Sequence, residues 1–161
     1  MKQFDVKAER KLNGNKFYVR PFPAFTATNL SGELASILTP MLASLAPLAN
    51  SGASSLDDIS LMDIDAEAAA PALAKGLSSI SGDKVEALMK KLLTKYRCIT
   101  VELEDGSDAQ TLTEDLANEV FCGEAQDMFI LAWDVIRVNF NGFFQKINAR
   151  FGGLIAGLMK K

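Results

Sequence analysis

The last third of the sequence contains a regular apolar repeat that strongly constrains the fold. Large apolar residues recur at steps of three or four from position 129 to position 158. We call them the apolar ridge: Phe129, Trp133, Ile136, Phe140, Phe143, Ile147, Phe151, Leu154 and Leu158. Such steps place side chains on one face of an α-helix. The spacing therefore predicts a long helix.

The width of the apolar surface changes along this predicted helix. Between positions 128 and 140, apolar residues cover more than half of the helix circumference. The polar residues there form a narrow stripe, Asp127, Asp134, Arg137 and Asn141. A helix with so wide an apolar surface is buried on two sides. Beyond Asn141 only one face stays apolar, so we expect an amphipathic end that binds another protein.

Two features of the predicted helix allow more than one interpretation. Trp133 is the only tryptophan, and it can either pack in the core or anchor a contact with a partner. Gly153 and Gly157 would let another backbone approach closely. Alternatively they mark a frayed end, because each glycine costs a helix roughly 1 kcal/mol.

The first 23 residues predict an antiparallel β-hairpin. Apolar and polar residues alternate over positions 3–8, which is the period of a half-buried strand. Asn13 and Gly14 can both adopt positive φ angles and form a tight turn, after which residues 17–19 return as the second strand. Two strands alone are marginally stable in water. We therefore expect residues 97–103, which contain β-branched residues, to add a third strand.

The remaining segments predict a mostly helical body. Residues 24–49 repeat apolar residues at helical steps, and Pro40 should kink or split that helix. Residues 50–82 are interpreted as a linker and a poorly ordered, alanine-rich insert with short helices, because glycine and proline interrupt them. Residues 83–161 complete the helical body and end in the amphipathic helix.

A capping-box spacing marks the start of one more helix. Thr111 and Glu114 have the Ser/Thr-x-x-Glu pattern, in which the two side chains bond each other's backbone N–H groups. Together the patterns predict an α+β fold in a single domain, residues 1–161. It consists of a mostly helical body with a small N-terminal antiparallel β-hairpin. Residues 97–103 are expected to pair with the hairpin as a third strand.

The composition argues against an enzyme. The chain contains no histidine, so the commonest general base and the imidazole metal ligand are missing. Cys98 and Cys122 form no CxxC pair, which fits reduced thiols. The sequence lacks the GxxxxGK[ST] and GxGxxG motifs of nucleotide-binding loops. We expect no catalytic residue, no metal and no cofactor.

The charge distribution limits the classes of partner. The net charge is −3, so no overall basic field attracts nucleic acid or anionic lipid. Residues 98–127 hold nine acidic and no basic side chains, which form either a solvated face or a site for a basic partner.

Residues 151–159, the longest nearly uncharged apolar run, fall short of the roughly 20 residues needed to span a bilayer. The first eleven residues lack the apolar core of a signal peptide. We expect a cytoplasmic protein without nucleic-acid binding or stable membrane insertion.

Two motifs resemble those of a known family. Residues 14–21, GNKFYVRP, form a "G-x-x-[FY]-x-[IV]-R-P" return of the hairpin. Residues 127–140, DMFILAWDVIRVNF, are similar to the closing helix of the same proteins, and Gly142-Phe143-Phe144 follows them. These motifs resemble the tail assembly chaperones of long-tailed bacteriophages, at both ends of the chain but not in its alanine-rich middle. The resemblance implies a non-enzymatic protein that coats the tape-measure protein, recruits tail-tube subunits and is absent from the finished virion.

The ridge and the resemblance lead to the same functional interpretation. We expect the nine ridge residues to bind protein partners, since amphipathic helices dock in grooves through contacts at i, i+3, i+4 and i+7. Low affinity at each site suffices if self-association supplies multivalency. The alternatives are a structural tail-completion or adaptor component of the virion, and an amphipathic membrane-surface protein.

Overall fold

The computed structural model describes residues 5–45 and 65–159. Side chains are described within these ranges except at positions 35, 37–45, 72–73 and 143–159. Phe4 and residues 50–64 of the predicted linker and insert therefore lie outside the described part of the chain.

A four-stranded antiparallel sheet forms one side of the molecule. Its strands are β1 (Ala8–Leu12), β2 (Asn15–Val19), β3 (Ile99–Glu102) and β4 (Gln110–Thr111), in the order β1-β2-β3-β4. The predicted hairpin and the strand predicted at 97–103 are both confirmed. The short strand β4 was not predicted, because two residues carry no detectable alternation.

The first strand lies later in the sequence than its apolar alternation predicts. Asn13 (φ 48°) and Gly14 (φ 78°) form the tight turn, as expected for this residue pair. A two-residue turn pairs the residues directly beside it, so Leu12 lies opposite Asn15 and Ala8 opposite Val19. The alternation over positions 3–8 was therefore misleading. Val6 is 44% exposed and lies outside β1.

Five α-helices accompany the sheet within residues 5–45 and 65–159. They are α1 (Ala24–Leu45), α2 (Ala66–Leu77), α3 (Gly82–Lys90), α4 (Glu114–Val120) and α5 (Ala125–Met159). A π-helical turn, Lys91–Lys95, continues α3. Helix α1 runs through Pro40 without ending there, so the proline does not split the segment.

Helix α2 lies in the segment that the sequence predicts to be a poorly ordered insert with short helices. The Asp65 side chain caps the helix by accepting a hydrogen bond from the Glu67 N–H. Ala66, Ala69 and Ala70 are at most 1% exposed, so their small side chains allow α2 to pack closely on its neighbours. Helix α2 contacts both α1 and α5.

The start of α4 differs from the predicted capping box. Thr113 caps this helix, because its hydroxyl accepts a hydrogen bond from the Leu116 N–H at 3.3 Å. Thr111 instead belongs to β4, where it pairs with Thr100. Strand pairing fixes Thr111, and the next threonine along the chain takes the capping position. Gly123, with φ 80°, follows the end of α4.

Helix α5 passes through the centre of the core. All residues from Ile130 to Ile136 are at most 4% exposed. Seven consecutive buried residues span almost two helical turns, so this part of α5 is covered around its whole circumference. It contacts the sheet through β1 and β2, and it contacts α1, α2 and the π-helical turn.

A buried ion cluster joins the sheet to α5. The Asp134 carboxylate is 1% exposed and accepts two hydrogen bonds from the Arg10 guanidinium of β1, at 2.6 and 2.9 Å. Arg137, one turn further along α5, donates a third at 2.8 Å. The hydrogen bonds that the Arg10 guanidinium donates to Asp134 are the largest cause that raises the pKa of Arg10. At Asp134, strand β1 therefore covers the polar stripe that the sequence predicts on α5.

We predict that Asp134→Ala strongly destabilises the fold. Removing one partner of a buried ion pair leaves uncompensated charge and costs about 3–5 kcal/mol. Urea denaturation should measure that loss in the free energy of unfolding. Asp115→Ala, which removes an exposed carboxylate from α4, is the control and should cost less than about 1 kcal/mol. Equal effects of the two substitutions would contradict a structural role for the cluster.

We also predict that Trp133→Ala costs about 3–5 kcal/mol, as expected for a large aromatic side chain removed from a core. Trp133 is 1% exposed. The matched control is Phe25→Ala, because Phe25 is 92% exposed and its loss should stay within about 0.5 kcal/mol. Thermal and urea denaturation measure the loss of stability in each of the two variants. A small effect of Trp133→Ala would show that its burial contributes little to stability.

Candidate protein-binding site

The structure divides the apolar ridge into parts with different surroundings. Trp133, Ile136 and Phe140 are at most 3% exposed, so they pack inside the chain. Phe129 is half-buried and borders a groove at the protein surface. The side chains of the distal ridge, which we define as Phe143, Ile147, Phe151, Leu154 and Leu158, lie outside the described part. Their backbone continues α5 to Met159.

The groove beside Phe129 lies between four helices. It has a volume of about 580 Å³ and is bounded by the end of α2, by α3 with its π-helical turn, by α4 and by the start of α5. We call it the apolar groove. Its floor consists of buried side chains, Leu77, Met89, Leu93 and Ala117.

Half-buried apolar side chains form the walls of the groove. They come from three segments: Ile80 and Val85 from the loop after α2 and from α3, and Met128 and Phe129 from α5. Methionine and phenylalanine at such a surface adapt to apolar partners. The volume lies within the range of about 300–1,000 Å³ typical of ligand pockets. The arrangement suits the insertion of apolar side chains.

The rim of the groove carries charged residues from α3 and α4. Lys90 donates hydrogen bonds to Glu114 at 2.6 Å and to Glu86 at 2.7 Å. These two contacts raise the pKa of Lys90, and the hydrogen bond from Lys90 lowers the pKa of Glu86. Through these two contacts Lys90 ties α3 to α4. The charged residues that line the groove sum to −1, from Glu86, Glu114 and Lys90.

Sequence reasoning found parts of this groove without bringing them together. Val85 and Met89 lie four residues apart in the segment 83–161, which was predicted to complete the helical body, and Phe129 begins the ridge. Leu77 and Ile80 come from the segment that was expected to be poorly ordered. The only available signal was the apolar excess on each helix, which does not show which faces meet.

The described residues were also compared with the requirements of a metal site and of a membrane-spanning helix. Among the described residues, no group of three or more His, Cys, Asp or Glu side chains could hold a metal ion. Within the same part of the chain, no helix is both long and apolar enough to cross a bilayer.

Comparison with known proteins provides one match. The model of a protein family described as "Phage tail assembly chaperone protein, TAC" matches residues 13–153. The matched range includes residues 56–81, where the motifs showed no resemblance. No curated protein and no solved structure matches. Because the match spans most of the sequence, this chain belongs to the phage tail assembly chaperone family.

Proposed function

We propose that this protein binds the tape-measure protein and recruits tail-tube subunits to it through an apolar helical surface, without enzymatic activity. The proposal places this work in the cytoplasm of the bacterial host. The observation that carries it is the open apolar groove beside Phe129, in a chain that belongs to a tail assembly chaperone family.

The geometry of the groove favours a helical client segment. Four helices surround it, its floor is apolar, and its charged residues lie at the rim. An amphipathic helix can place apolar side chains from successive turns in such a groove and keep its polar face in water. Burial of this apolar surface favours the complex, and the affinity is what remains after the entropy cost of association.

Repetition of weak contacts fits the assembly role. A long client with several amphipathic segments can bind several copies of the chaperone at once. Each groove then needs to hold only one client segment, and weak binding at each groove leaves the copies exchangeable. We propose that the distal ridge forms a second protein-binding surface and that the protein self-associates.

A groove substitution tests the client site. Val85→Arg places a charge on the groove wall and should weaken capture of the co-expressed tape-measure protein at least tenfold, because a guanidinium is costly to bury unpaired. Lys84→Ala is the control, because Lys84 precedes Val85 on α3 and is exposed. Affinity co-purification from cells that express both proteins measures capture. Undiminished capture by a folded Val85→Arg protein would contradict this use of the groove.

The composition of finished particles tests the assembly role separately. A chaperone should be absent from purified virions, as measured by quantitative mass spectrometry, while it is abundant in infected cells. Its presence at a fixed ratio to tail-tube subunits would instead identify a structural component of the tail.

A further inference from the structure

The apolar groove has a counterpart in the chain's own sequence. The distal ridge supplies apolar residues at steps of 4, 4, 3 and 4, as required for a helix in a groove. The segment 143–161 contains four basic residues and no acidic ones: Lys146, Arg150, Lys160 and Lys161. The charged residues that line the groove, Glu86, Glu114 and Lys90, sum to −1. The segment 143–161 therefore has the helical apolar spacing that suits the groove and a charge opposite to that of the groove lining.

The geometry of α5 determines which copy can provide this segment. Phe129 borders the groove, and Leu154 lies 25 residues later in the same continuous helix. At 1.5 Å per residue the two positions are separated by about 38 Å along the helix axis. The distal ridge of a chain therefore cannot enter that chain's own groove while α5 remains intact.

We propose that the distal ridge of one copy docks in the apolar groove of a second copy. Before a client binds, the groove of each such copy is capped by another molecule of the same protein. The contact joins two different surfaces. The copy that provides the ridge retains a free groove, and the copy that provides the groove retains a free distal ridge. Such a heterologous contact extends into an open array unless it closes into a ring. It also shields an apolar surface that would otherwise promote aggregation.

The proposal deepens the proposed function, because it assigns a regulation to the same groove. A client helix and the distal ridge of a second copy compete for one surface. Binding of the client releases the ridge of the neighbouring copy, and the groove is not left open to water in either state. The self-association itself does not depend on the identity of the client.

Two single variants of the full chain test the heterologous contact. Val85→Arg blocks the groove and leaves the distal ridge intact, whereas Phe151→Asp blocks the distal ridge and leaves the groove intact. Sedimentation velocity at micromolar concentration should show self-association of the unmodified protein and a monomer for each variant alone. The mixture should form a 1:1 heterodimer that does not grow, because it contains one intact groove and one intact ridge.

Each other outcome overturns the proposal. A monomeric unmodified protein, a variant that still self-associates alone, or a monomeric mixture of two folded variants would each exclude this contact. Circular dichroism and thermal unfolding establish that both variants are folded, and Lys84→Ala, which should associate like the unmodified protein, is the surface control. Joint reversal of Lys146 and Arg150 to glutamate should weaken self-association about tenfold at low salt. Unchanged association would exclude this segment as the occupant.

The client experiment is independent of these results. Phe151→Asp should still capture the tape-measure protein, because its groove is intact, and Val85→Arg should not. Failure of every variant to bind the client, together with formation of the heterodimer, would contradict the proposed function and leave the self-capping contact standing. Loss of client capture by Phe151→Asp would overturn the competition at the groove.

Discussion

The ion cluster around Asp134 is the interaction on which the arrangement of sheet and helices depends. A carboxylate at 1% exposure is tolerated only with charged partners, and Arg10 and Arg137 supply them. Arg10 lies in β1, so the cluster fixes where the hairpin crosses α5. A second polar contact supports the same geometry, since the Asn139 side chain accepts a hydrogen bond from the Phe22 N–H at 2.6 Å. The hairpin is therefore held in one position on α5.

Packing around α5 explains why one part of its apolar surface is core and another borders a groove. The sheet contacts it through β1 and β2, and Phe22, just after β2, packs edge-to-face on Phe140 with ring centroids 6.2 Å apart. The alanines of α2 permit close contact elsewhere. Towards the start of α5, α2 has ended and α3 and α4 are joined at the rim by Lys90. The side chains of Met128 and Phe129 therefore remain partly uncovered.

An assembly chaperone needs an apolar surface that is available to a client and yet protected from aggregation. Burial of the surface in the core would prevent aggregation but also prevent client binding. Permanent exposure would allow client binding but promote aggregation. Capping of the groove by a second copy would satisfy both requirements, because the capping helix can be exchanged for a client helix of similar chemistry. Low affinity of each contact then favours exchange of the capping helix for the client helix.

Local residue patterns were sufficient for much of the fold. The Asn13-Gly14 pair determined the turn because few residue pairs tolerate two positive φ angles, and the apolar steps from Phe129 onwards determined α5 because a helix face has a fixed period. The absence of histidine and the two family motifs directed the functional interpretation. The start of β1 and the cap of α4 were missed, because strand pairing overrides local alternation and capping patterns. The fate of Trp133, the burial of Asp134 beside Arg10 and the apolar groove were decided only by the tertiary structure. Each depends on residues far apart in the sequence, and periodicity shows which face of a helix is apolar but not what covers it.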